Sequence, residues 1–468
     1  MEINNTSAAR FGQWLNESLS VKLGVIFFLT LILLIPAAMV NDLVREREHR
    51  QQEVIIEVSD SWSGPQVLAG PLMMLPYSKM VMIQRGGAEL MEEQTHYIYL
   101  LPEELEIQGT TDTHELSRGI FDVAVYETNL NVSGYFGSLD LSKEEIEPHQ
   151  VQWNKVRLVV GVGDLRGVKS IQPFVMAGQE YTLDEYARER PFDNNLVFTP
   201  DLQDHDWDKL SFGFSVELRG TAHLQFLQLA KQTRVSVQGN WASPKFVGQF
   251  LPEQRELQAD SFRVEWGLAH FARALPQQWT GQEEQILGKQ PLAPQVPINP
   301  RTDPARGGQD VTHVVDGFGI EFLQPVNHYQ KNDRATKYAI LVISLSFLAL
   351  FFTEILAKSR IHIVQYVLIG AAMIVFYALL LAFSEHIGFN AAYGVAAFAT
   401  IGLIGIFIAT TLKQKRIAVI FSSLLTLFYL FVFVIIQLND MALLMGSIAL
   451  FLCVAALMYF SSRINWQK

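Results

Sequence analysis

Two carboxylates, Glu354 and Glu385, with His386 beside the second, interrupt or end apolar runs in the last third of this 468-residue chain. Ionisable groups at membrane depth are costly and mark ion or proton pathways unless they pair or reach the interface. A proton relay would need them face to face. If the runs are straight helices, Glu354 sits at one end of its span. Glu385 and His386 then sit at the far end of the next, about 25–30 Å away. They are not direct partners. Interfacial pairing is the simpler reading, with Glu354 against Lys358 one turn on. The other reading makes Glu385 and His386 a polar mouth facing the extramembrane domain.

Other patterns are weaker. VRLVVGVGDLRGV reads as a strand entering a glycine-rich loop, but Gly161, Gly163 and Gly167 are spaced G-x-G-x-x-x-G, not as a dinucleotide fingerprint. A tight turn closed by Asp164 with Arg166 accounts for it. Asp204, Asp206 and Asp208 begin like a calcium loop, yet Lys209 and Ser215 stand where that loop needs Gly and Glu. A solvated acidic turn is expected. There is no G-x-S-x-G, no S-x-x-K with companion motifs and no H-E-x-x-H, and the 11 histidines lack metal-ligand spacing. The pattern therefore favours a non-enzymatic protein and calls for no cofactor or metal.

The elements that must position these residues divide by composition. Residues 41–337 hold 27 basic against 42 acidic side chains, a net of −15, while the remainder holds 9 against 5. An acidic region of this size argues against nucleic acid or an anionic lipid surface as its partner. The one cysteine, Cys453, lies in an apolar run, so no intramolecular disulfide is available.

Residues 1–22 are read as a tail, with Phe11, Trp14, Leu15 and Leu19 at the spacing of an interfacial helix or in a disordered segment. The apolar run 23–40 lacks an A-x-A cleavage site and reads as an uncleaved signal anchor. Its helix continues as a stalk over 41–59. From Ser61 onward, short alternating runs separated by Gly and Pro predict a β-rich domain, with a helical turn around Leu183–Arg188. FDVAVYETNLNVSGYF and LSFGFSVELRGTAHLQF look alike, which leaves one or two β-subdomains open. Pro291, Pro294, Pro297 and Pro300 recur every third residue within a proline-rich loop, 290–304. Five apolar segments follow between 338 and 460, then a tail, 461–468. Ala392, Ala396 and Thr400 in the third of these predict close helix packing. The segments lack the paired Gly/Pro interruptions of transporters.

Every basic residue outside the large domain falls on one side of this arrangement: Arg10, Lys22, Lys358, Arg360, Lys413, Lys415, Arg416, Arg463 and Lys468. The positive-inside rule makes that side cytoplasmic, with both termini inside and residues 41–337 outside. The fold class expected is an α+β membrane protein: an anchor helix, a large β-rich domain and a five-helix transmembrane block.

The stretches SGPQVLAGP, LLPEELEIQG, RGIFDVAVYETNL, VVGVGDLRGV, GNWASPKFVGQFLP, FLQPVNHYQKNDRATKYAILVISLSFLALFFTE and QYVLIGAAMIVFYALLLAFSEHIGF together resemble the CreD family of bacterial inner-membrane proteins. The likeness covers nearly the whole chain from about Leu33. Ile363 stands where the family is expected to carry proline, which bears only on a helix start. The resemblance implies a Gram-negative inner membrane, induction by the Cre two-component system, and links to cell-envelope integrity, β-lactam response and colicin tolerance. It implies no biochemical activity. The leading expectation is a domain that binds an envelope component or protein partner, held by the membrane block in the lipid bilayer. The alternative is a transporter or lipid-handling protein with the β-domain as a gate. Homo-oligomerisation stays open.

Overall fold

The computed structural model describes residues 19–438 apart from 86–87, 188–190, 203–206, 208, 274, 282–284, 289–311, 316, 323–327 and 358–360, and beyond them positions 447, 451, 455 and 458. The interfacial pattern at Phe11–Leu15, the acidic run Asp204–Asp208, the proline-rich loop, Lys358 and the bulk of the apolar segment 441–460 lie outside the described residues. The chain divides into two compact units, residues 51–325 and residues 1–50 with 326–468.

Helix α1 (Leu19–Ser61) runs without a break through anchor and stalk. At 1.5 Å per residue its 43 residues span about 65 Å. In the apolar half, Ile26, Leu33 and Ala37 are buried while Phe27, Phe28 and Ile35 are more than 60% exposed, a narrow packed seam with the rest of the surface apolar and outward.

The unit 51–325 consists of two nine-stranded sheets and a small third one. The first sheet contains β1 (Gln66–Arg85), β2 (Ala88–Leu100), β5 (Arg157–Val162), β9 (Glu185–Ala187), β10 (Asn195–Phe198), β12 (His223–Leu227), β14 (Pro244–Gly248), β17 (Gln278–Gly281) and β20 (Gly317–Phe322). The second contains β3 (Glu104–Arg118), β4 (Phe121–Phe136), β6 (Val168–Ile171), β7 (Phe174–Met176), β8 (Gln179–Tyr181), β11 (Leu210–Thr221), β13 (Gln232–Gly239), β15 (Gln254–Leu257) and β16 (Phe262–Ala269). The parallel pair β18 (Gln285–Gly288) and β19 (Thr312–Val315) makes the third.

Alternation explains the layering. Along β3, Leu105 and Ile107 are buried while Gln108 and Thr110 are exposed, so one face serves the core. One cluster joins both sheets, with Leu68, Met73, Phe226 and Phe318 from the first and Ile107, Val132, Val237 and Trp266 from the second. There is thus one sandwich core and not two subdomains. Over Leu210–Thr221 the look-alike stretches are neighbours in the second sheet, paired antiparallel from Leu210↔Phe136 to Thr221↔Val125, and the end of the later one crosses to the first sheet in β12. Their similarity reflects two strands sharing the same core face.

The helical turn expected at Leu183–Arg188 is instead strand β9, with Tyr186 opposite Leu196. Ladder hydrogen bonds to β10 outweigh the helical spacing of so short a stretch.

Asp164 and Arg166 close a turn, and the contacts extend further than the sequence suggests. The Asp164 carboxylate accepts from the Gly64 amide at 2.9 Å, the Arg166 amide at 3.0 Å and the Arg166 guanidinium at 2.8 Å. Arg166 also donates to the Asp60 carbonyl at 2.7 Å, satisfying a carbonyl in the last turn of α1. Beside it the fully buried Gln66 amide donates to Ser63 Oγ and to the Asp164 and Arg219 carbonyls, at 3.0–3.1 Å. The glycines of this loop have no room for a ligand. A Cβ at Gly167 would lie 2.1 Å from Gln66 Nε2, and one at Gly163 would lie 2.5 Å from the Pro65 carbonyl. The chain's own polar groups fill what a phosphate would need.

Burial pushes the Asp164 carboxyl up, but hydrogen bonds from Arg166 and the Gly64 amide outweigh it and hold the group below its ordinary value. A depressed carboxylate contributes stability above its unfolded value, near about 3.9, and loses it as pH falls through the folded value. Asp164→Ala should lower stability by about 2 kcal/mol near neutral pH. Urea unfolding followed by tryptophan fluorescence checks this. The difference from the parent chain should shrink below about pH 4.

Candidate functional site

In the other unit, α2 (His328–Lys337) is followed by α3 (Ala339–Ala357), α4 (Ile363–Ile387), α5 (Phe389–Leu412) and α6 (Lys415–Gln437). Helices α1, α4, α5 and α6 are each long and apolar enough to cross a membrane, and α2 with α3 qualify as one span bent by 42°. The five-helix count of the C-terminal block is therefore not reached among the described residues. Residues 328–337, placed in the β-rich domain by the sequence reading, belong with the helices. At the bend Thr336 Oγ1 lies 3.2 and 2.9 Å from the Asn332 and Asp333 carbonyls.

Short turns make α4, α5 and α6 run up, down and up. His362 and Gln365 form a capping box at the start of α4, so Ile363 begins the helix without proline. Ala392, Ala396 and Thr400 are buried, as close packing of α5 requires. At Gly370 α4 meets its neighbours closely. A Cβ there would lie 2.2 Å from Leu33 of α1 and 2.9 Å from Phe347 of α3.

At the end where α4 begins, Glu354 has a partner 332 positions away. The Lys22 ammonium, 6% exposed, bonds the Glu354 carboxylate and donates to the Ile361 carbonyl at 2.8 Å. Tyr366 Oη donates to the other Glu354 oxygen at 3.0 Å, and the Ile361 amide donates to the first at 3.2 Å. Three donors thus hold a largely buried carboxylate, one of them a cation that neutralises it, tying α1 and α3 to the start of α4. Such a pair offsets its own desolvation only when hydrogen bonds complete it, as these do.

At the other end of α4, Glu385 accepts from Tyr329 Oη at 3.1 Å and lies 3.8 Å from the Arg47 guanidinium of α1. Next to it, buried Asn332 donates to buried Ser384 at 2.7 Å, and Thr336 donates to Asn41 of α1 at 2.8 Å. His386 is exposed on α4 and stands apart from these contacts. Tyr366 and Glu385 are 19 residues apart on one helix, about 28 Å, so the two clusters are separate.

In the sequence both acids stand out, and Lys22 only as one of the basic residues on the cytoplasmic side, whereas Arg47, Tyr329, Asn332, Tyr366 and Ser384 do not. A pairing across 332 positions leaves no local spacing to read. The placement of Lys22 at the edge of the anchor was its only signal. Between the clusters, the buried hydroxyls of Tyr377, Tyr429 and Ser346 find no partner among the described residues.

The sandwich carries its own candidate. A cavity of about 530 Å³ opens on the second sheet, between β3, β13 and the β15–β16 hairpin. Asp112, Gln238, Asn240, Glu256, Gln258 and Arg263 line it. Asn240 donates to Asp112 at 2.6 Å, and its oxygen accepts the Thr113 amide at 2.6 Å. Arg263 donates to Gln238 at 2.9 Å. These bonds link exposed polar side chains around the opening, groups of the kind that orient a polar ligand.

The family model for the inner membrane protein CreD matches residues 18–467. The chain belongs to the CreD family. It is 29% identical to the inner membrane protein CreD of Escherichia coli K12 over 454 residues, covering 97% of this chain and 94% of that one. It is accordingly an α+β inner-membrane protein. Among solved structures, an M1 zinc metallopeptidase from Deinococcus radiodurans aligns over 73% of this chain and 88% of its own at 10% identity and a TM-score of 0.19. Yeast LTA4 hydrolase aligns over 65% and 50% at 9% identity and a TM-score of 0.18. Likenesses this slight carry no argument.

Glu354→Leu should leave the Lys22 charge buried and unpaired, costing about 3–5 kcal/mol. Glu385→Gln, whose cation is half exposed, should cost under about 1 kcal/mol. Detergent-driven unfolding in mixed micelles of the full chain distinguishes the two.

Proposed function

We propose that this CreD-family chain is an envelope-stress protein of the inner membrane whose sandwich faces the periplasm and binds a polar envelope component or protein partner. The cavity lined by Asp112, Asn240, Gln238 and Arg263 carries this reading. It offers carboxylate, amide and guanidinium groups held in place by one another, and no acid–base pair poised on a nucleophile. The links to β-lactam response and colicin tolerance expected from the family belong to this proposal.

The helix order supports the orientation. Lys22, Lys413, Lys415 and Arg416 fall at the end of the block where α4 starts and α5 ends, the end that the positive-inside rule makes cytoplasmic. The transporter alternative rests on Glu354, Glu385 and His386. The ion pair and hydrogen bonds of Glu354 suit fastening rather than relay, and the reading of a β-domain gate has no geometry to support it.

In a strain lacking the protein, the full chain should restore resistance to β-lactams and detergent. The combined variant Asp112→Ala, Asn240→Ala, Arg263→Ala should accumulate to the same level and restore little of it. Full restoration would count against the cavity. For orientation, with Cys453→Ser as background, an impermeant maleimide should label Gln258→Cys in intact spheroplasts and leave Gln414→Cys unlabelled until the membrane is opened. The reverse pattern would invert the proposal.

A further inference from the structure

Helices α5 and α6 do not close on each other along their whole length. Between them runs a groove of about 850 Å³, toward the upper end of the roughly 300–1,000 Å³ of ligand sites. Its walls are mainly apolar, with Ala397, Phe398, Ile401, Ile406 and Phe433 among them, and among the described residues no carboxylate lines it. Phe398 and Ile406 are 83% and 68% exposed. At Gly394 and Gly402 an added Cβ would meet nothing within 4 Å.

A cationic end marks it as more than a gap between small residues. Lys415 lines one end, flanked in sequence by Lys413 and Arg416. There α6 begins, with no side chain capping its N-terminus, so the positive end of the helix dipole adds to three cations.

We propose that the groove is a binding site for an anionic phospholipid, with one acyl chain lying between α5 and α6 and the headgroup phosphate at Lys413, Lys415 and Arg416. An acyl chain gains little by leaving lipid for an equally apolar groove. Selectivity must then come from the headgroup, and the cationic end without a facing carboxylate favours a net negative one. The inference rests on the membrane insertion of this block and not on any ligand of the sandwich.

The test uses the full chain in detergent, with dioleoylphosphatidylglycerol and dioleoylphosphatidylcholine titrated separately and binding read by native mass spectrometry and by Tm. Phosphatidylglycerol should bind at least about fivefold more tightly, and about 0.5 M salt should remove the difference. The variant Lys413→Ala, Lys415→Ala, Arg416→Ala should lose the preference while keeping the Tm of the lipid-free protein. Gly402→Leu should weaken both lipids. Equal affinities, or a preference that survives the triple variant, would overturn the proposal. So would a Gly402→Leu variant that loses stability without lipid and binds lipid unchanged, because the groove would then hold a segment of this chain or a second copy. If Gly402→Leu does not fold, Phe398→Trp reads occupancy directly. Brominated phosphatidylglycerol should quench it more than brominated phosphatidylcholine, and equal quenching would contradict the site.

Discussion

The anchor helix carries a cation on each side of its apolar run, and each meets a carboxylate of the C-terminal block. Lys22 meets Glu354, and Arg47 approaches Glu385. The two cations are 25 residues apart on one helix, about 37 Å. That span exceeds a hydrocarbon core of about 30 Å and stays within the roughly 40–45 Å that includes the headgroups. Both pairs therefore fall where a bilayer turns polar. Lipid supplies no hydrophobic drive between helices, so close packing of small residues and polar contacts of this kind together decide which helix lies against which. The pairs are unequal. The Lys22 end is sealed by Tyr366 and Ile361, whereas the Arg47 side chain is 46% exposed.

The same helix ends in the sandwich, where Arg166 takes up the Asp60 carbonyl and Asp164 holds Gly64. Strand β1 starts five residues beyond Ser61, with Gln66 fully buried at the centre of that knot. Polar groups that would be liabilities in a core are satisfied here by one another, which fixes where the first strand begins. From β1 its three neighbours in the first sheet follow, β12 in parallel and β5 and β2 antiparallel. The cavity at Asp112 and Asn240 lies on the second sheet, built on strand pairings that the shared core holds in register.

Much of this was legible in the sequence where a period or a composition shift carries the information. The apolar run and stalk gave one helix, and alternation gave strands. The buried Ala392, Ala396 and Thr400 gave a packing face. The turn at Asp164 and Arg166 was readable because both residues lie within three positions. What was missed depends on distance along the chain. Lys22 with Glu354, Asn332 with Ser384, and the antiparallel pairing of the two look-alike stretches are set by tertiary packing, which no local spacing reports. The misread turn at Leu183–Arg188 failed for the same reason, since its strand exists only through its partner β10. Helix α2 was missed because its polar residues resemble a domain tail, and only burial of Tyr329, Asn332 and Thr336 reveals their role.

The Lys22–Glu354 pair joins the anchor helix to the C-terminal block. The most direct measurement is a double-mutant cycle on the full chain in mixed micelles, using Lys22→Met, Glu354→Leu and both together. If the pair is a direct bond, each single variant leaves a buried charge uncompensated. The double variant then unfolds well after either single one, with a coupling energy of about 2–3 kcal/mol. Additive losses, with the double variant weakest of all, would contradict the account.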